Sequence, residues 1–185
     1  DHAAHFDGRA AQDYSALYSA QALPTIMRVA ADHDNFRAAM SWSLAEGGNL
    51  FGAGWIGVFL IWFWYRRGYF QEGRQWAERI MRATEPIGGI PYGMALNAAG
   101  MMALWTGDVD LAMQRNAAAL AVAETTGFAL GISMGHFAYG ITLINRGRDQ
   151  EAYGHLTMAA ELFDESNSQW EKVNTLVHLA NAALG

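Results

Sequence analysis

The chain has no cysteine and only one lysine, Lys172. Without cysteine there is no disulfide, no thiolate nucleophile and no zinc–thiolate site, a composition that fits a reducing compartment and sets the expectation of a cytoplasmic location. With 12 basic against 18 acidic side chains the formal charge is -6. No cluster of Lys and Arg is available to neutralise phosphates, so direct nucleic-acid binding is not expected. An apolar leader is missing too: the first residues, DHAAHFDGRAAQDYS, are polar. Nor does the sequence open with methionine, as expected for a piece excised from a longer protein.

Charge is also absent from one long stretch. From Gly47 to Tyr65 there is none, and Arg66 and Arg67 follow like the positive flank of a bilayer span. Four glycines, Gly48, Gly52, Gly54 and Gly57, fill the first half and leave a dense apolar helix of about three turns, short for a span. A buried helix in a helical protein would read the same way, and periodicity inside the stretch does not separate the two.

The rest of the chain does separate them, because it repeats. Aligning YRRGYFQEGRQW, LWTGDVDLAMQR and INRGRDQEAYGH puts turn glycines at Gly68, Gly107 and Gly147, spaced by 39 and 40 residues. Small residues recur five positions later (Gly73, Ala112, Ala152), and Ile80, Ala119 and Ala159 stand twelve later. Ile61, Gly100 and Gly140 stand seven earlier. Each glycine follows an apolar helical stretch and precedes an amphipathic one, in the first unit with Phe70, Gly73, Ala77 and Ile80 on one face and Glu72, Arg74, Glu78 and Arg82 on the other. The pattern predicts an all-α, right-handed solenoid of helical hairpins in which no repeat buries its apolar face alone. The units run over 49–88, 89–127 and 128–167, with a partial unit at 168–185 and a helical lead-in over 1–48. Leu50 to Arg67 is then the first helix of the first unit, so no membrane association is expected. A terminal helix without a partner exposes an apolar face and offers a route to a homo-oligomer.

The small-residue pattern at Gly100, Gly107, Ala112 and Ala119, and again at Gly140, Gly147, Ala152 and Ala159, resembles tetratricopeptide repeats. Ala103 and Leu143 stand where such units commonly carry an aromatic, and Pro86 alone fits their terminal proline. Upstream, ADHDNFRAAMSWSLAEGG followed by LIWFWYRRGYFQEGRQWAERIM is similar to the opening of the C-terminal repeat region of bacterial signal-transduction ATPases, among them LuxR-type and MalT-like transcriptional regulators. HAAHF, His2 to Phe6, resembles the helix that leads into that region. The resemblance implies a sensor or scaffold segment whose ATPase and output domains lie elsewhere in a parent chain.

Catalytic signals are absent. There is no GxxxxGK[ST] loop, and the glycine-rich GWIG and EGGNLFGAG neither follow a strand pattern nor carry a lysine for phosphate. His2 and His5 have a chelating spacing but no third ligand nearby and read as surface or packing residues, and His33, between Asp32 and Asp34 on a helix, reads as a residue making a helix–helix hydrogen bond or facing solvent. His136 and His155 fall on the two helices of one hairpin and can meet, and His178 lies on the last helix, but no carboxylate or serine completes a triad. Asp108 and Asp110 suit a helix N-terminus, and Glu161, Asp164 and Glu165 a solvated face. No enzyme, cofactor or metal is expected.

What remains is a surface. With the turn glycines as register marks, the first helices present Trp55, Val58, Trp62 and Tyr65, then Met94, Asn97, Met101 and Trp105, then Met134, Phe137, Ile141 and Asn145 to the inner curve. Trp, Met and Phe are adaptable residues of large area, and Asn97 and Asn145 are candidates to hydrogen-bond a peptide backbone. The expectation is a non-enzymatic module binding a protein, a peptide or a small effector on this face. The competing expectation is a structural or oligomerisation spacer whose inner channel is filled by these same side chains.

Overall fold

The computed structural model describes residues 22–45 and 47–184. Among the described residues it holds nine α-helices and no strand: α1 (Ala22–Ala31), α2 (His33–Ser43), α3 (Leu50–Arg67), α4 (Phe70–Thr84), α5 (Gly89–Trp105), α6 (Val109–Thr126), α7 (Ala129–Ile144), α8 (Asp149–Glu165) and α9 (Gln169–Leu184). The protein is all-α and repeat-like, as its periodicity predicts. The candidate ligands His2 and His5, and the HAAHF segment, lie outside the described residues.

The turn inside each hairpin is built the same way. Gly68, Gly107 and Gly147 have φ of 70°, 85° and 68°, a left-handed conformation that a Cβ would strain. The amide after each reaches back to close the preceding helix: Tyr69 N–H to the Trp64 carbonyl at 2.9 Å, Asp108 to Ala103 at 2.9 Å, and Arg148 to Leu143 at 3.0 Å. The turns after α6 and α8 repeat the device, with Phe128 N–H on the Ala123 carbonyl at 3.1 Å and Ser168 on Phe163 at 2.8 Å, the latter through Asn167 at φ 57°. The turn after α4 instead carries Gly88 and Gly89, both at φ 62°, and closes through Gly88 N–H on the Thr84 carbonyl at 3.0 Å. Left-handed residues thus mark about every twentieth position, half the period read from the sequence.

The first helices, α3, α5, α7 and α9, lie side by side in one layer, and each second helix, α4, α6 and α8, packs against the first helices before and after it. The small residues of the repeat sit at these contacts. Ala112, Ala152 and Ala159 are fully buried, and an added Cβ at Gly73 would lie 2.6 Å from the Met102 sulfur and 2.9 Å from the Trp64 ring.

The uncharged stretch has a physical explanation in this packing. α3 buries Ile56, Phe59, Leu60, Phe63 and Trp64 completely, against α2 on one side (Phe36 to Phe59, ring centroids 5.6 Å apart) and α4 and α5 on others. A helix enclosed on nearly all sides has no face left for charge. No described helix is long and apolar enough to cross a membrane. Asn49 caps α3 by accepting the Gly52 N–H at 3.1 Å, and Arg66 and Arg67 sit at its C-terminal, partially negative end.

Candidate functional site

The inner-face register divides sharply by burial. Val58, Met94, Asn97, Met101, Phe137 and Ile141 are buried, Trp55, Trp62, Trp105 and Met134 are half-buried, and Tyr65 and Asn145 are exposed. Neither asparagine is spent as expected for a peptide ligand. The Asn97 amide donates over 3.5 Å to the Met134 carbonyl, tying α5 to α7, while its Oδ1 is buried without a partner. Asn145 donates back to the Ile141 carbonyl of its own helix at 2.9 Å.

The layer curves tightly enough for distant helices to touch. Trp55 of α3 meets Phe128 just before α7, with centroids 6.4 Å apart, and Trp62 of α3 meets Trp170 of α9 at 5.6 Å. Small clefts lie along this face. One of about 20 Å³ lies among Trp55, Val58, Met94, Phe128 and Met134. Another, of about 10 Å³, lies among Trp62, Asn97, Met101 and Phe137. A third of about 10 Å³ is enclosed by Trp62, Phe137, Phe163, Trp170, Glu171 and Asn174. Each has room for roughly one or two water-sized groups.

At one end of the layer the aromatics stay partly exposed. Trp62, Tyr65 and Trp105 form a cluster with Tyr65 to Trp105 at 4.4 Å and Trp62 to Trp105 at 5.5 Å, and Trp170 extends it beyond Trp62. Trp170, Glu171 and Asn174 were not among the residues read from the sequence. A signal existed: carrying the forty-residue register one unit beyond Met134 lands on Asn174.

Titratable groups cluster at two places. His33 is buried between Phe63 and Tyr69, and burial lowers its pKa against the opposing pull of Glu72. Its Nε2 is 3.1 Å from a Glu72 oxygen but out of line for a hydrogen bond, and Glu72 is instead gripped by Arg37 at 2.7 and 2.8 Å. Burial opposes ionisation of Glu72, yet the Arg37 bonds and the neighbouring positive charge win and hold its pKa down. The second cluster joins the hairpin of α7 and α8, where His136 Nδ1 and His155 Nδ1 are 2.9 Å apart. Burial lowers both pKa values, and His155 adds a further repulsive push on His136. No trio of His, Asp or Glu among the described residues is placed to hold a metal ion.

No family model matches the chain. No curated protein matches it either.

Proposed function

We propose that this chain is a non-catalytic helical-repeat module that binds a protein or peptide, and that it serves as the sensor or scaffold segment of a larger, cytoplasmic, ATPase-type signalling or transcriptional regulator of bacteria. The observation that carries the binding role is the half-exposed aromatic cluster of Trp62, Tyr65 and Trp105 at the mouth of the inner face. Large aromatic surfaces held rigid by one another lose little entropy on docking, which is why such residues dominate recognition sites. The role within a parent regulator rests on the resemblance of Ala31–Gly48 and Leu60–Met81 to the start of that family's repeat region, with the ATPase and output domains as covalent partners and a small effector as a second class of ligand. The chain carries no phosphate loop of its own.

A second reading has its own support. The burial of Met101, Phe137 and Ile141 and the smallness of the clefts favour a spacer with a closed channel. A peptide array probed with the labelled chain and with a Tyr65→Ser/Trp105→Ser variant separates the two. We expect a subset of peptides to bind the parent chain and lose the variant, with unchanged helicity by circular dichroism. Equal signals from both proteins, or binding by neither, would leave the spacer reading standing.

A further inference from the structure

The cleft walled by Trp55, Val58, Met94 and Phe128 has one unmet polar need. Among the described residues no charged side chain lines it. Asn97 does line it, and that side chain is buried, with the residue only 6 % exposed. Its amide N–H donates to the Met134 carbonyl, which fixes the way the amide faces and leaves Oδ1 buried without a partner. A buried amide oxygen that has given up water and gained no donor is costly, so the fold holds an acceptor in waiting. Two glycines keep the walls apart. A Cβ at Gly93 would lie 2.9 Å from Val122 Cγ1 and one at Gly131 2.6 Å from the Phe128 ring, so a larger residue at either position would displace a wall of the cleft.

We propose that this cleft binds the hydroxymethyl end of a neutral primary alcohol with an apolar tail, the hydroxyl donating to Asn97 Oδ1. The assignment rests on the small-effector part of the reading above and names its chemistry. The incoming group must donate, because the unmet atom is an acceptor. It must be uncharged, because an ammonium or guanidinium would enter an apolar cleft without a counter-charge. It must also be small. The cleft, about 20 Å³, takes a carbon and a hydroxyl, while the neighbouring one that Asn97 also lines, about 10 Å³, takes no more than a single water-sized group.

The rest of the ligand then lies on the half-exposed side of the cleft, which is formed by the apolar Ile90, Val122 and Leu130. A serine side chain ends in the same hydroxymethyl group, but its backbone would bring N–H and C=O groups to this apolar side. The Thr126 hydroxyl there already donates to the Val122 and Ala123 carbonyls at 2.9 and 3.1 Å. An aliphatic tail makes no such demand. Water is a poorer occupant too. A buried water commonly makes about three hydrogen bonds, whereas an alcohol spends its one donor on Oδ1 and turns carbon to the walls.

The test uses the whole chain, isotope-labelled at its methionine methyl groups, and follows the Met94 resonance by NMR, assigned from a Met94→Leu sample. Four probes are titrated: n-hexanol, n-hexyl fluoride with the same chain and no donor, hexylammonium chloride, and N-acetyl-serine methylamide. The expected result is a saturable shift with hexanol, about tenfold tighter than with the fluoride although the fluoride is the more apolar molecule. Asn97→Leu should level the two. Equal affinity for hexanol and the fluoride in the parent chain makes the cleft merely apolar and overturns the proposal, and because this comparison needs no variant it holds even if Asn97→Leu fails to fold. Hexylammonium binding as tightly as hexanol overturns the neutral class, and the serine derivative doing so overturns the effector in favour of a peptide. No shift with any probe leaves Oδ1 to water and overturns the site. A silent peptide array alongside donor-selective hexanol binding fails the peptide role and keeps this site. Peptides bound on the array with no hexanol shift do the reverse.

Discussion

At the scale of single residues, the repeat is enforced by what does not fit. A Cβ at Gly100 would strike the Asn116 Oδ1, and one at Gly140 would lie 2.8 Å from Leu156 Cγ. Neither neighbour is free to retreat, because Asn116 is buried and bonded to Thr142 Oγ1 at 2.9 Å and Leu156 is fully buried. Gly100→Leu and Gly140→Leu should each destabilise the chain by about 1–3 kcal/mol in urea denaturation, the upper end at Gly100, where the amide loses a partner as well as space. Gly154 is the control. It is exposed in the middle of α8 with nothing near its missing Cβ, so Gly154→Ala should be neutral or stabilising by about 0.5–1 kcal/mol. The close-packing glycines were legible in the sequence because helical hairpins stacked at a fixed period must place small residues at fixed offsets. Asn116 was not, since a polar residue on the buried side of α6 has meaning only once Thr142 and the Ala138 carbonyl face it from α7.

At the scale of helices, the α7–α8 hairpin carries a histidine pair that works only when at least one ring is neutral. At 2.9 Å one Nδ1 must donate and the other accept, and two imidazolium ions there would repel. Burial lowers both pKa values, and the charged and titratable groups around them are Glu124 at the end of α6, Glu151 on α8 and Tyr139, whose ring stands edge-on to His155. Below about pH 6.5 the unfolded histidines take up protons that the folded pair refuses, so the unfolded state binds more protons and stability falls with falling pH. Glu171, with its raised pKa, works in the opposite sense at lower pH. We expect the melting temperature to drop between pH 7 and about pH 5.5. His136→Asn should reduce that dependence without abolishing it in thermal melts followed by circular dichroism, because burial also lowers the pKa of His33 and of His178. That the two histidines could meet was legible from the hairpin; that they would be enclosed was not, because their burial depends on the neighbouring α6 and on the ring of Tyr139.

At the scale of the whole molecule, helix content, hairpin order and turn positions were readable from the sequence, but the depth of the inner groove was not. Depth depends on how far each unit rotates relative to the last, and a small rotation, accumulated over the array, decides whether Trp62 faces solvent or another tryptophan. Here it meets Trp170, and Met101 and Phe137 on the same face are buried. The same contact alters how the array comes apart. A solenoid held only by neighbours frays from its ends, one unit at a time, each loss leaving the rest intact. A ring pair joining α3 to α9 links the first unit to the last helix, so releasing α9 also strips cover from α3. Trp170→Ala should therefore speed amide hydrogen exchange in α3 as well as in α9, while a solenoid with independent ends would show the change in α8 and α9 alone. On that outcome the tryptophan contact acts as a latch, by which a linear stack of hairpins opens as one cooperative unit and whatever loosens the last helix is felt at the first.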